Sequence, residues 1–153
     1  MKTREDVAAF EVLTRALVGI SLESLDVLDG RVSLPQFRLL LTLAGLGRVP
    51  STRLAAELRQ GASAVTRTVD RLAKAGLVAR GTDERNRSIV TLQVTELGRQ
   101  LVTDVLERRH ALLAEVLDRM TPAHHDAAVE VAVEFCRNSD HVPAVGAAGP
   151  LPL

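Results

Sequence analysis

The stretch that decides the fold is residues 63–100, which read S-A-V-T-R-T-V-D-R-L-A-K-A-G-L-V, then A-R-G-T-D-E-R-N-R-S-I-V-T-L-Q-V-T, then E-L-G-R-Q. Val65, Val69 and Leu72 recur at the spacing of one face of an α-helix. The basic residues fall roughly on the opposite side, and Gly76 is a typical helix end. The pattern therefore predicts a helix with a basic polar face.

Two strand-like segments follow this helix, at 77–80 and 88–94. The second alternates apolar and polar residues, as a half-buried strand does, and residues 81–87 form the charged turn between the two. A helix followed by such a hairpin is the outline of a winged helix-turn-helix, which places a helix in a DNA groove and an arginine-bearing hairpin beside it.

The distribution of charge agrees with this interpretation, although the net charge of the chain is zero. Residues 48–87 carry nine basic and four acidic groups, a net charge of +5, whereas residues 1–47 carry −1 and residues 88–153 carry −4. A basic segment on an otherwise neutral body is typical of a DNA-binding module. The same charge argues against a winged-helix module that binds only proteins, which is an alternative function for this outline.

The composition bounds the remaining classes. The 153 residues include only 2% aromatic residues, so the core must be aliphatic, which favours packed helices. No apolar run approaches the ~20 residues of a membrane span, the start M-K-T-R-E-D does not resemble a signal peptide, and a single cysteine excludes an internal disulfide. These features predict a cytoplasmic protein with no membrane association.

The other helices are marked by their caps. A first helix is predicted over 4–28, and Ser33 with Gln36 forms a capping box for a second, which Gly45 and Gly47 should end. The helices expected after these run over 52–59, over 95–119 and from Thr121-Pro122 to about 138, with 142–153 extended or disordered. The terminal helices carry more apolar surface than a winged domain of ~90 residues can cover. They are therefore expected to pack against a second copy.

Three motifs resemble the MarR family of bacterial winged helix-turn-helix transcriptional regulators. V-T-R-T-V-D-R-L-A-K-A-G-L-V at 65–78 is similar to V-T-R-x-V-D-x-L-x-x-x-G-L-V of the family, D-E-R-N-R-S at 83–88 to D-x-R-D-x-R, and V-T-E-L-G-R at 94–99 to L-T-x-x-G-R. Asn86 and Ser88 depart from the wing motif, where the family usually has Asp and Arg. Altered ion pairing in the wing is expected, and whether Arg87 replaces the missing cation is open.

The resemblance implies a mainly α fold with a small β-wing: a winged helix-turn-helix core at about 33–95, and dimerisation helices at about 4–30 and 96–138, in a single domain over 1–141 with a flexible tail at 142–153. It also implies a homodimer on a pseudo-palindromic DNA operator, repression relieved by a small aromatic or anionic ligand, no cofactor and no enzymatic activity.

The residues predicted to contact DNA lie on two helices and the wing. They are Ser51, Thr52, Arg53, Ser63, Thr66, Arg67, Arg71, Lys74, Asp83, Arg85 and Arg87. Arg67 and Ser63 are expected at bases, with Thr66 near that contact, and Arg71 and Lys74 at phosphates. Asp70 should orient a neighbouring arginine. The alternative is a solvated helix face.

Arg85 is expected in the minor groove, where a narrow groove attracts arginine, with Asp83 bracing the turn; the alternative is an exposed hairpin without contact. Residues 51–53 open a helix, whose free N–H groups bind phosphate or are simply capped.

Two further sites follow from the resemblance. A ligand pocket would lie near the first, second and fifth helices, with Phe37 as an aromatic wall and Arg15 and Arg38 as cationic groups; plain core and solvated roles are the alternative. Cys136 raises the alternative of a redox-sensing regulator on the same scaffold, but a buried or interfacial inert thiol fits its place in the last helix better. Adjacent His124 and His125 point ~100° apart, so no metal site is predicted.

Overall fold

The computed structural model describes residues 3–139, so the tail predicted at 142–153 lies outside the described residues. The helices are α1 Arg4–Glu23, α2 Leu34–Leu46, α3 Ser51–Leu58, α4 Ala62–Lys74, α5 Glu96–Asp118 and α6 Pro122–Arg137, with a 3-10 turn at Asp26–Leu28, and the strands are β1 Val49–Pro50, β2 Val78–Thr82 and β3 Val90–Val94. The predicted mainly α fold with a small β-wing is confirmed. None of the helices within residues 3–139 combines the length and apolarity that a membrane crossing requires.

The chain divides into two compact units. The first, called the terminal unit, comprises the residues up to Gly30 together with 104–138, and the second, called the winged unit, comprises 31–103 with Ser139. Helix α5 contributes its first turns to the winged unit and the rest to the terminal unit.

Aliphatic side chains from α2, α3 and α4 form the core of the winged unit. Leu40, Leu43 and Leu54 are completely buried, and Leu72 of α4 and Leu92 of β3 join them. Burying a leucine contributes about 1.5–3 kcal/mol, so these five side chains hold the three helices and the sheet together. Apart from Phe37 of α2, the core of the winged unit is therefore aliphatic, as the scarcity of aromatic residues predicts.

The sheet is antiparallel, with the strand order β1-β3-β2. Val49 of β1 pairs with Leu92, and Val78 of β2 pairs with Val94. The two-residue β1 was not predicted, because periodicity cannot be read from so short a segment. Strand β2 extends to Thr82, beyond the predicted end at Arg80, because its pairing with β3 continues to the Thr82–Val90 pair.

Two helix ends differ from the prediction. α1 ends at Glu23 and not at residue 28, because the chain passes into a 3-10 turn and then into the left-handed conformation at Asp29 (φ +47°). α2 continues through Gly45 and ends at Leu46, where Gly47 at φ +73° leaves the helix. The capping box at its start is confirmed, since the Ser33 amide donates to Gln36 Oε1 over 2.7 Å.

The V-T-E-L-G-R motif closes the winged unit at the start of α5. Thr95 Oγ1 donates to the carbonyl oxygen of Gly76 over 2.6 Å and accepts from the Gly98 amide over 3.1 Å. A Cβ atom on Gly98 would overlap the carbonyl oxygen of Leu77 and lie 2.7 Å from Val94 Cγ1. The motif therefore requires glycine at 98 because the first turn of α5 lies directly against the backbone.

Replacing Gly98 with alanine is therefore expected to destabilise the protein. The added methyl group meets backbone, which cannot rotate away, so the loss should reach about 3 kcal/mol, the upper end for overpacking. Urea unfolding at a fixed protein concentration measures it. Gly19→Ala in α1 is the matched control: a Cβ there meets no atom within 4 Å, so that variant should gain up to about 1 kcal/mol of helix propensity. Equal stabilities of the two variants would contradict the close approach.

The terminal unit contains two helices that bury none of their residues. The large apolar side chains of α1 and α6 are instead exposed: Val7, Phe10, Val12, Leu13, Leu17, Val18, Leu22, Val129, Val131 and Phe135. The rings of Phe10 and Phe135 stack with centroids 5.2 Å apart. We call the exposed apolar side chains of α1 and α6 the apolar face.

Candidate nucleic-acid interface

Helix α4 separates its residues as the sequence predicts. Val65, Val69 and Leu72 face the core and are buried. Besides Ala62 in its first turn, the exposed residues are Ser63, Thr66, Arg67, Arg71 and Lys74. The Thr66 hydroxyl donates to the Ala62 carbonyl over 2.9 Å, so only its methyl group and its acceptor capacity are open to a partner. The helix thus presents a polar face carrying three cations.

Most cations of the basic segment are unpaired. Among residues 3–139, no side-chain hydrogen bond or ion pair is found for seven of the nine: Arg53, Arg59, Arg67, Arg71, Lys74, Arg85 and Arg87. Arg59 was not among the predicted contacts, but it ends α3 at φ +51° and lies between the two helices of the motif. Unpaired, exposed guanidinium groups are available to phosphates and base edges.

The two remaining cations of the segment, Arg80 and Arg48, bind to other residues of the protein. Arg80 of β2 forms an ion pair with Asp70 of α4, with both side chains nearly half exposed. The neighbouring arginine that Asp70 orients is thus one from the wing and not Arg71 of its own helix. This ion pair links the helix to the wing strand, although at this exposure its contribution to stability is small.

Asp83 organises the tip of the wing. Its Oδ1 atom accepts hydrogen bonds from the amides of Arg85 over 2.9 Å and Asn86 over 3.0 Å. An aspartate that binds amides two and three residues ahead forms a local turn. This is the bracing role expected from the sequence, and it leaves the Arg85 side chain exposed at the tip.

The two departures from the wing motif have different consequences. Asn86 Oδ1 accepts from the Ser88 amide over 3.0 Å, and the Asn86 carbonyl accepts from the Ile89 amide over 2.9 Å, so Asn86 stabilises the turn. Ser88 offers no cation, and Arg87 forms no ion pair within residues 3–139. Within residues 3–139, Arg87 therefore does not replace the missing cation in an ion pair, and the ion pair between wing and helix is the one that Arg80 forms with Asp70.

Helix α3 begins beside a shallow groove. Ser51 is half-buried, whereas Thr52 and Arg53 are exposed in its first turn. The groove measures about 170 Å³ and lies between α3, α4 and the wing, with Ser51, Thr52 and Thr66 on its polar side. The first N–H groups of a helix attract phosphate, so this surface suits the sugar-phosphate backbone as well as simple capping.

Arg48 was counted only as one of the charges of the basic segment, but in the structure it hydrogen-bonds to two strands of the sheet. From the segment before β1 it donates through Nη2 to the Thr82 carbonyl over 2.7 Å and through Nε to Thr91 Oγ1 over 3.2 Å. No local pattern signals this role, because its partners lie 34 and 43 residues later in the chain.

The residues predicted to bind a ligand lie in different surroundings. Phe37 is 2% exposed in the core of the winged unit, while Arg38 is exposed on α2 and Arg15 is exposed on α1 in the terminal unit. The ligand pocket stays a prediction. Among residues 3–139, no three His, Cys, Asp or Glu side chains are arranged to hold a metal.

Cys136 is exposed on α6, so its predicted burial is wrong for the single subunit. The apolar face includes its neighbour Phe135, and an interfacial position is the surviving part of that prediction.

The terminal unit holds one cation that no sequence pattern singles out. Arg109 of α5 is half-buried and its Nε atom donates to Ser24 Oγ over a long 3.4 Å. Burial lowers the pKa of Arg109 below its usual value, because desolvation disfavours the charged guanidinium. An arginine nevertheless stays protonated, so this group is a partly desolvated positive charge.

Comparison with known proteins points to one family. Residues 32–90, which span α2 to the start of β3, match the model of the MarR family. An HTH-type transcriptional regulator, YfiV of Bacillus subtilis, is 31% identical over 124 residues, which covers 81% of this chain and 76% of that protein.

Solved structures agree with the match. RV1404 from Mycobacterium tuberculosis is 30% identical and superposes with a TM-score of 0.85 over 92% of this chain and 97% of its own. A MarR family protein from Bacillus stearothermophilus is 26% identical, with a TM-score of 0.76 over 90% of this chain and 97% of its own. The similarity thus extends beyond the winged unit to nearly the whole described chain.

Proposed function

This chain belongs to the MarR family and is a DNA-binding transcriptional regulator, and we propose that it acts as a homodimeric repressor that a small ligand releases from a pseudo-palindromic operator. The protein would act where its operator is, in the cytoplasm, and by binding, not by catalysis.

The positions of the unpaired cations indicate which residues would contact DNA. The cations without a partner within residues 3–139 lie on the exposed face of α4, at the start and the end of α3, and at the wing tip. These elements are the ones that a winged helix-turn-helix directs at DNA. Arg67 and Ser63 would meet base edges, Arg71 and Lys74 phosphates, and Arg85 the adjacent minor groove. The core of a protein–protein interface is depleted of charged residues. Helix α4 instead exposes three cations and no large apolar side chain.

The apolar face supports the homodimer. A 20-residue helix without a buried residue gains little stability from packing within its own subunit, because most helix stability in proteins comes from burying an apolar stripe. In an isologous two-fold contact the same patch of both subunits meets, so a single dimer interface would bury the apolar face of each subunit. A two-fold symmetric homodimer also matches a pseudo-palindromic operator, because the two half-sites of such an operator are related by the same symmetry.

Arg109 supports an anionic effector. Arg109 is partly desolvated and forms one long hydrogen bond within residues 3–139. Such a cation gains more from an anion than an exposed arginine does, since screening by water is weaker there. An effector bound in the terminal unit would act on the helices that we assign to the dimer. Arg15 and Arg38 would then serve at most in attracting the anion, because both are exposed.

Selection from a random pool of duplex DNA tests the proposal, because it assumes nothing about the operator sequence. We expect a two-fold symmetric sequence with half-sites about 10 base pairs apart, bound with steep salt dependence. A single enriched half-site would contradict the dimer, and no enrichment over random DNA would contradict sequence-specific binding. The selected duplex then serves to test small aromatic carboxylates for release.

Arg67→Ala is expected to relax sequence preference. A bidentate arginine–guanine contact discriminates by about 1–3 kcal/mol, so the variant should accept changes at one position of each half-site. Competition between the selected duplex and single-base variants measures this preference. Lys74→Ala is the matched variant further along the same helix: loss of a phosphate contact should weaken all sequences alike and leave their ranking unchanged. An equal loss on every sequence with Arg67→Ala would assign Arg67 to phosphate as well.

A further inference from the structure

We propose that Arg48 is a positioning residue for DNA binding, which fixes the wing so that Arg85 reaches the groove. The inference rests on the proposed contact of Arg85. It concerns the one arginine of the basic segment whose guanidinium hydrogen-bonds to two different strands of the sheet within the part of the chain that the structure describes.

The geometry of the sheet makes this role specific. Arg48 immediately precedes β1, which lies at one edge of the sheet, whereas Thr82 ends β2 at the opposite edge. Its side chain extends across the central strand β3, donates to Thr91 there over 3.2 Å, and donates to the Thr82 carbonyl over 2.7 Å. One side chain thus bonds to the central and the far strand at the point where the wing leaves the sheet.

Gly81, the cross-strand partner of Thr91, leaves room for the Arg48 guanidinium because it has no side chain. Gly81 is paired with Thr91, and a Cβ atom on it would lie 3.1 Å from Thr91 Oγ1 and 3.3 Å from Arg48 Nη2. A larger residue at 81 would crowd the guanidinium. The position that in most antiparallel pairs holds a side chain is here occupied by the tip of Arg48.

The hydrogen bonds that begin at Arg48 continue to the wing tip. Thr82 is followed by Asp83, which binds the amides of Arg85 and Asn86, so the bonded segment runs without interruption from Arg48 to the turn that carries Arg85. Both acceptors of Arg48 are neutral, so its effect comes from the geometry of two donors and not from charge neutralisation. Lysine keeps the charge but carries all of its donors on one nitrogen, so it does not reproduce the two separated, fixed donors of the guanidinium.

Three variants separate positioning from a direct phosphate contact. Arg48→Lys keeps the positive charge at 48 but loses the two-donor geometry of the guanidinium. Thr91→Val also keeps the charge and removes only the hydrogen bond to Thr91 Oγ1. Arg48→Ala removes the charge and both hydrogen bonds. We expect Arg48→Lys and Arg48→Ala to bind the selected duplex about tenfold more weakly, and Thr91→Val about threefold. Arg119→Ala, which removes an exposed charge outside the winged unit, is the control for charge alone. Normal binding by Arg48→Lys and Thr91→Val with weakened binding by Arg48→Ala would overturn the proposal in favour of a phosphate contact.

A double-mutant cycle with Arg85→Ala identifies the route of the effect. If Arg48 acts through the wing, Arg48→Lys should weaken binding in the native background and change it less than twofold when Arg85 is already alanine. Additive losses would overturn the proposal. An Arg85→Ala variant that binds normally would instead contradict the assumed wing contact, so the two failures are distinguishable.

Hydrogen exchange of the free protein gives a readout without DNA. Backbone amides of residues 78–94 should exchange several-fold faster in Arg48→Lys and Thr91→Val, while amides of α2 and α4 should be unchanged. Unchanged exchange in the wing would overturn the proposal, because Arg48 would then not determine wing order.

Discussion

A subunit carrying Phe10→Glu is expected to be monomeric and to bind a two-half-site duplex about 100- to 10 000-fold more weakly than the native protein, since the second half-site is no longer bound intramolecularly. Phe10 is 40% exposed on α1 and stacks on Phe135, which is 55% exposed on α6. A glutamate at this position would place a charge on the apolar face beside Phe135, and desolvating an unpaired carboxylate opposes association strongly.

Light scattering and binding to the full and the half duplex measure the effect together. Binding to a single half-site should be nearly unchanged, because the winged unit does not contain residue 10. Ala8→Glu is the matched control: it introduces the same charge on the same helix, but successive residues are ~100° apart, which places it on the opposite side from Phe10. A dimeric Phe10→Glu variant would remove the apolar face from the interface, whereas monomers from both variants would mean that any charge on α1 opposes association.

The parts of the site that depend on local sequence were predictable. The buried and exposed sides of α4 follow from a spacing of three and four residues, and the turn at Asp83 follows from the tendency of aspartate to bind amides just ahead of it. The capping box at Ser33 and Gln36 is a third local signal. Each of these interactions is complete within a few residues, so the sequence contains all of its partners side by side.

The parts that depend on distant partners were not predictable. The partner of Asp70 is Arg80 and not its neighbour Arg71, because strand β2 returns alongside the helix after the turn at Gly76. Arg48 bonds to residues 34 and 43 positions away, and only the pairing of β1 with β3 brings them together. Charge counting along the sequence placed both arginines in the basic segment, and their hydrogen bonds in the structure assign them to the support of the wing.

The exposure of α1 illustrates the same limit at the level of a whole helix. Its apolar positions predict an amphipathic helix, and they do not distinguish packing within the subunit from packing against a second copy. Total absence of buried residues in α1 and α6 is a property of the folded chain. The sequence argued for a second copy only from the amount of apolar surface, whereas the structure names the exposed side chains that a second copy would cover.

The wing should contribute the other large effect: Arg85→Ala is expected to weaken binding by about 1–3 kcal/mol per half-site, or about 2–6 kcal/mol for a dimer with two wings. Arg85 is exposed at the wing tip, its side chain forms no hydrogen bond or ion pair within residues 3–139, and Asp83 holds its amide. Arginine inserted into a narrow minor groove gains from the enhanced negative potential there. The loss should therefore be larger on duplexes whose flanks are A·T-rich, where the groove is narrowest.

Titration of native protein and variants against duplexes with A·T-rich and G·C-rich flanks tests this expectation. Arg85→Lys separates charge from shape: it should retain the salt dependence of the native protein but lose part of the preference for A·T-rich flanks, because ammonium is more strongly hydrated than guanidinium. Arg87→Ala, two residues further along the same tip, should produce a smaller and flank-independent loss if Arg87 meets phosphate. Equal losses on both flanks for Arg85→Ala would assign Arg85 to the backbone, and an unchanged affinity would exclude the wing from the interface.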